Sequence, residues 1–256
     1  DQVYDGKRTS SSANFKINDW LTIQARGNMD YWADKLRQKF YASTATALCG
    51  ANGRYIEMDY QETQMYGDVM AMVKKQLNDF TLDVAIGGSI NDRITNSTRI
   101  DSKNASLKYA NVFNLANIVM SSSASIDQKI DAHYQLQSVF ATAQIGYKEG
   151  VFLDLTARND WSSTLAYTKY EKKGFFYPSA GVSFLPDKWV KMPEWVSFSK
   201  LRGAYSIVGN GVPPFITYPV SYVTAGGEIL ASDAAPFAEM KPEMTHSVEL
   251  GMEWKF

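Results

Sequence analysis

Between Leu21 and Tyr31 every second side chain is apolar or small. Leu21, Ile23, Ala25, Gly27, Met29 and Tyr31 alternate with Thr22, Gln24, Arg26, Asn28 and Asp30 over eleven residues, in a strand that the pattern runs from Trp20 to Tyr31. Successive side chains of a strand point to opposite faces, so this run is a ribbon with one greasy and one charged side. A half-buried strand of a soluble sheet holds such a pattern for five or six residues; a run this long suits a tall barrel better. Phe152–Asp160, FLDLTARND, repeats it. With Val151 in front, Val151, Leu153, Leu155 and Ala157 oppose Asp154, Thr156, Arg158 and Asp160.

The connections also have a rule. Asn18-Asp19 joins Ser11–Ile17 to Trp20–Tyr31, Asn78-Asp79 joins Thr63–Gln76 to Phe80–Asn91, and Lys148-Glu149-Gly150 joins His133–Tyr147 to Phe152–Asp160. These are tight hairpin signals. Phe175–Leu185 and Ser197–Val208 continue the pattern across the Pro- and Trp-marked Pro186–Val196, and Thr245–Phe256 ends the chain in the same alternation. Between the hairpins lie long stretches without period: Trp32–Glu62, with a helical turn expected near Ala33–Phe40, then Asp92–Ala132, Trp161–Gly174 and Gly209–Met244. About nine strands with short turns at one end and long loops at the other is the layout of an outer-membrane barrel.

Composition narrows the classes. Aromatics are 13% of the chain, and the apolar runs are too short for a helix to cross a bilayer, whereas barrel strands need only about 9–11 residues. The formal net charge of −1 implies no broad basic surface for nucleic acid. Cys49 is the only cysteine and reads as a bystander thiol in a loop; Asn96-Ser97-Thr98 matches a glycosylation triplet by chance. The opening DQVYDGKRTS carries neither start Met nor signal peptide, which suits a processed chain or a piece of a longer one. Arg26, Asp30, Asp83, Asp154, Arg158, Lys200, Arg202, Glu249 and Glu253 share the polar face. Pattern alone allows that face to be a barrel lumen or the outside of a soluble barrel. Trp20, Tyr31, Phe80, Tyr147, Trp161 and Trp254 near strand ends favour lipid outside, as interface girdles do. Nine strands do not close a bacterial barrel, and an open wall leaves backbone groups in hydrocarbon, so the chain reads as a portion of a larger barrel.

Four stretches carry a family resemblance: ARNDWSSTL at Ala157–Leu165, GFFYPSAGVSFLPDKW at Gly174–Trp189, SFSKLRGAYSIVGN at Ser197–Asn210 and KPEMTHSVELGMEWKF at Lys241–Phe256. Together, in this order and spacing, they resemble the SusC/RagA family of TonB-dependent outer-membrane transporters. Before Ala157 the strands are compatible but carry no distinctive motif. The resemblance implies an all-β, antiparallel transmembrane barrel of about 22 strands, of which residues 1–256 are a section without plug or TonB-contacting segment. It further implies a Gram-negative outer-membrane location, a SusD-like surface lipoprotein, the TonB-ExbB-ExbD system acting through a plug, and glycans or peptides as cargo.

No enzyme signature is present. His133 and His246 have no HExxH or Cys/His partner, and no GxSxG or P-loop occurs, so neither catalysis, metal nor cofactor is expected. Binding is the better expectation, because sugar rings present apolar faces and many hydroxyls and a glycan site asks for aromatic platforms beside carboxylates and amides. The loops offer Trp161, Tyr167, Tyr170, Phe215, Tyr218 and Tyr222, and the polar face adds Arg158, Asp160 and Arg202. The plainer alternative is that these aromatics pack loop on loop and the charges pair across the wall, with Asp160 capping a strand end. A soluble β-rich carbohydrate-binding or adhesion module, apolar faces inward, is the rival fold, and a self-contained small barrel ending on Phe256 a third.

Overall fold

The computed structural model describes residues 2–103, 107–119, 125–218, 220–223, 228–232, 235 and 237–256. The chain forms β1 (Gln2–Lys16), β2 (Leu21–Phe40), β3 (Arg54–Leu77), β4 (Phe80–Asp101), β5 (Ser125–Tyr147), β6 (Val151–Ser162), β7 (Phe175–Phe184), β8 (Phe198–Asn210), β9 (Tyr222–Val223), β10 (Ile229–Leu230) and β11 (Glu243–Lys255). Nine of these make one antiparallel sheet in the order β1-β2-β3-β4-β5-β6-β7-β8-β11, while β9 and β10 pair as a small separate ribbon. Every pairing in the large sheet is between strands consecutive along the chain, except β8 with β11 across the β9–β10 excursion. The sheet is open at β1 and β11.

Two expectations need correction. Trp32–Glu62 is not a long loop with a helical turn: β2 runs to Phe40 and β3 begins at Arg54, paired from Trp32↔Glu62 to Phe40↔Arg54. Likewise β4 extends to Asp101 and β5 starts at Ser125, through a register shift at Thr95/Asn96. Polar residues such as Lys35, Asp59 and Thr98 hid these segments, because alternation of hydrophobicity vanishes where both faces of a strand meet water. Asn96-Ser97-Thr98 lies within β4.

The pleat separates the faces as the pattern implies. On one side the register aligns Leu21↔Val73↔Val84↔Ala143↔Leu155↔Ala180↔Tyr205↔Val248. No described residue covers this row: Leu155 is 38% and Tyr205 43% exposed on interior strands, and Leu153, Leu201 and Leu250 lie along one surface instead of meeting in a core. A soluble module with apolar faces inward is thereby overturned. The one buried apolar cluster of the described residues is small and sits at the far tip of β3 and β4, where Tyr55, Leu107 and Ile118 pack with Ile100 and Phe113. Cys49 is buried near there, its thiol facing the Tyr41 and Thr44 carbonyls.

The tight-turn end is rimmed with aromatics. Phe80 meets Tyr147 at 4.8 Å, Tyr147 meets Trp189 at 5.7 Å, and Trp195 stacks on Phe256 at 5.5 Å. Asn18 Oδ1 accepts the Trp20 and Leu21 N–H groups to close the first turn, and Lys148 and Glu149 take the positive φ angles, 48° and 53°, that tight reversals require. Trp189 lies directly over Gly150, where any β-carbon would collide with its indole.

At the opposite end the strand tips are held by charge. Asp101, its side chain 1% exposed, accepts Arg54 Nε and Nη2 at 2.8 and 2.7 Å, Arg99 Nη2 at 2.7 Å and the Lys103 N–H at 2.8 Å. Burial pushes this carboxyl up, but Arg54, the Lys103 N–H and Arg99 together outweigh it and hold it below the usual carboxylate range.

The two faces and the charged strand tips each generate a prediction. Arg at Leu201 or Val248 is expected to cost up to about 2–4 kcal/mol of folding into lipid vesicles, far more than Arg202→Leu on the other face, as read from urea titrations of the complete barrel. Because the Asp101 pKa is depressed, its contribution is complete above the ordinary carboxylate range and is lost as pH falls through its lowered value. Acidification should therefore lower the hydrogen-exchange protection factors at the Arg54 and Asp101 tips, measured against intrinsic rates at each pH, and Asp101→Asn should remove that pH-dependent loss of protection.

Candidate substrate path

The second face of the sheet is polar because residues out of phase with the apolar row all fall there. Its central row reads Arg26↔Asp68↔Ser89↔Ser138↔Asp160. Arg26 Nε donates to both Asp68 oxygens at 3.1 and 3.0 Å, and the Asp68 side chain is fully covered. Arg158 Nε donates to Asp160 at 2.6 Å and Nη2 to Ser138 Oγ at 2.7 Å. Opposite charges placed two residues apart on a strand, or across a pair, meet on one face by construction. Toward the tight turns the wall is leaner: Gln144 donates to Asp154 at 2.7 Å, and Phe140 lies over Gly87, which has no room for a β-carbon.

Toward the long-loop end the face widens into a mouth. Glu62 collects Arg93 Nη2 at 2.6 Å, Tyr60 Oη at 3.1 Å and Thr95 Oγ1 at 3.5 Å. Beside Arg93 opens a cavity of about 440 Å³ lined by Tyr134, Asp160, Phe175, Tyr177, Asn210 and Pro213 among others. Tyr177 occupies the space above Gly209, so β8 supports the cavity wall without a side chain at that point. Loop residues roof it. Leu165 and Val212 are buried, and Thr217 Oγ1 donates to the Thr164 carbonyl at 3.1 Å, pinning the two loops together.

The expected site residues divide. Arg158 and Asp160 stand together on the polar face, and Asp160 lines the cavity. Tyr167 and Tyr218, from different loops, stack at 4.4 Å and 24° while remaining 66% and 50% exposed. Tyr167 and Phe215 both hold positive φ, 64° and 63°, a backbone conformation that side-chain-bearing residues adopt only when their surroundings impose it. Phe215 is half-buried, and Tyr170 is half-buried against Phe175 at 6.2 Å. Two stand elsewhere. Trp161 shares the parity of Leu153 and Leu155, so it projects from the apolar face opposite Gln137. Arg202 pairs with Ser183, at the far end of β7 from Phe175, which pairs with Asp160; its side chain lies along Gly251. The side chain of Tyr222 lies outside the described residues.

Sequence reading missed Arg93, Glu62, Trp32, Tyr60 and Tyr134. Their signal was the spacing Tyr60-x-Glu62 and Trp32-x-Asp34 on one parity, legible only once β2, β3 and β5 are known to continue. Each of the wall's ion pairs is cross-strand or i,i+2, so Asp68→Asn is expected to destabilise by about 1–3 kcal/mol by leaving Arg26 against an uncharged neighbour. Urea unfolding in micelles checks this, and adding Arg26→Gln should restore part of the loss.

Comparison with known proteins agrees with this geometry. The family model described as TonB dependent receptor-like, beta-barrel matches residues 1–256. Among curated proteins none matches. In solved structures, the RagAB peptide transporter superimposes with TM-score 0.76 at 17% identity, over 98% of this chain and 28% of that one. The RagAB peptide importer in its closed-closed state gives 0.73 at 17% identity, with the same coverage. The siderophore receptor PiuA from Acinetobacter baumannii gives 0.58 at 12% identity, over 100% of this chain and 38% of that one. The chain thus spans little more than a quarter of the length of the RagAB chains it matches.

Proposed function

The chain belongs to the TonB-dependent receptor-like β-barrel family of the outer membrane, and from that premise we propose that it is a wall section of a SusC-like importer, bordering the path by which nutrient crosses. The observation that carries this reading is the division of the sheet: a bare apolar face for lipid and a hydrogen-bonded ionic face that ends in a cavity. In a barrel, the second of these is the lumen. Entry is by passage and not by bond-making. The Arg26–Asp68, Arg158–Asp160 and Arg93–Glu62 pairs keep the wall rigid and wet, and the cavity with the Tyr167–Tyr218 stack at its roof receives cargo at the mouth.

The cargo class in this reading is glycans or peptides. Rings stack on the tyrosines, and hydroxyl or amide groups pair with Asp160, Asn210 and Tyr134. A SusD-like lipoprotein delivers the cargo from outside, and a plug pulled by the TonB-ExbB-ExbD system opens the path below. Resemblance to a peptide transporter supports the peptide arm. The two displaced residues take other roles: Trp161 anchors the wall at the membrane interface, and Arg202 lies low in the lumen.

Transport assays in cells separate these roles. Tyr167→Ala with Tyr218→Ala is expected to raise half-saturating cargo concentration by about three- to tenfold, the worth of one lost stacking platform, with the amount of inserted barrel unchanged. Trp161→Ala should alter insertion more than affinity. Uptake indifferent to the tyrosine pair and to Asp160→Asn would remove the mouth from the path.

A further inference from the structure

Above the central row, on the β1 side of the mouth, the register places three aromatic residues around one carboxylate. The register sets Tyr4↔Asp34↔Tyr60 in a single row, with Trp32 two residues before Asp34 on the same face of β2. Trp32 and Tyr60 meet edge to face, centroids 5.2 Å apart at 64°. Opposite Trp32 stands Gly6, and a β-carbon there would find nothing nearer than a carbonyl at 3.9 Å, so one side of the indole is left open. Trp32 is 41% and Tyr4 62% exposed.

The charges at this corner are unevenly matched. Arg8 is held by Asp30 at 2.5 Å, and Arg93 is held by Glu62 at 2.6 Å, which also takes the Tyr60 hydroxyl. Among the described residues Asp34 has a neutral partner only: its Oδ2 accepts Gln2 Nε2 at 2.9 Å, while its Oδ1 is covered from solvent and has no donor. A carboxylate with no cation among the described residues, flanked in the register by aromatic side chains, attracts an ammonium or guanidinium through the ring quadrupoles and a charge-assisted hydrogen bond together. A sugar gains the stacking but not the charge.

We propose that Trp32, Tyr4, Tyr60 and Asp34 form a subsite for a cationic group, the Lys or Arg side chain of a peptide cargo, beside the cavity of Asp160 and Tyr177. This rests on the polar face being the lumen, and it deepens that reading by selecting basic peptides from the wider class. The chain of neighbours Trp32, Tyr60, Glu62, Arg93, Tyr134 runs from the subsite to the lining of the cavity.

The test is binding to the complete barrel in nanodiscs, using short peptides that differ only in one Lys against acetyl-lysine. Wild type is expected to prefer Lys by about tenfold, the scale of a cation on an aromatic face with a carboxylate. Asp34→Asn should remove the preference and its salt sensitivity while leaving acetyl-lysine peptide affinity unchanged, and Trp32→Ala should weaken the Lys peptide most. A Lys preference that survives Asp34→Asn overturns the proposal, as does an equal loss for both peptides. So does binding of a neutral oligosaccharide that depends on Trp32 but not on Asp34. If Asp160→Asn and the tyrosine pair still govern uptake in those cases, only the cationic subsite fails; if they do not, the importer reading fails with it.

Discussion

In hydrocarbon a peptide group has no water to turn to, so every N–H and C=O in the spanning part of this chain must be met by a neighbouring strand. That requirement organises the rest. It produces consecutive antiparallel pairing from β1 to β8 and then β11, and it makes the pleat a permanent sorter of side chains into two environments. It also explains why so little of the chain is a packed core. A one-layer sheet stabilises itself through its ladder and through cross-strand contacts on each face, with solvation of the apolar face delegated to lipid. The edges β1 and β11 carry the same demand and are complete only beside further strands.

The same ladder then serves a second purpose where it leaves the bilayer. Beyond Met29, Met65 and Ile90 the strands continue, but both faces now meet water, so the outward side turns to Lys35, Glu57 and Asp59 and the inward side to Trp32, Tyr60, Glu62 and Arg93. Strands therefore present the charged part of the mouth's chemistry, with positions set by the register. The loops add what strands lack: close contact between distant segments, as between Thr164 and Thr217 or Tyr167 and Tyr218, at the cost of two strained residues.

Legibility in the sequence followed hydrophobic contrast. Strands between Leu21 and Tyr31 or Val151 and Asp160 were visible because lipid and lumen impose opposite demands on alternate residues. Their extensions, Trp32–Phe40 and Arg54–Glu62, were invisible because water on both sides imposes the same demand on all. Arg158 and Asp160 were placed on the polar face by their parity within a visible strand; that they bond each other is seen only in the structure. Trp161 was read as the first residue of a loop, but it is still in β6, where one step along the strand from Asp160 reverses the face. Arg202 was grouped by face, although nothing local encodes its distance along the wall from Asp160.

Composition and period by themselves determined that this is an antiparallel β protein with tall two-faced strands, short turns at one end and long connections at the other, since those properties are local to ten or so residues. The tertiary structure decided which residues share a level. Whether Tyr4 stands beside Asp34, or Arg93 reaches Glu62, depends on register between strands separated by many residues, which the hydrogen-bond ladder sets and no local pattern records. It also decided that the apolar face stays bare, because a sheet of one layer has nothing of its own to cover it.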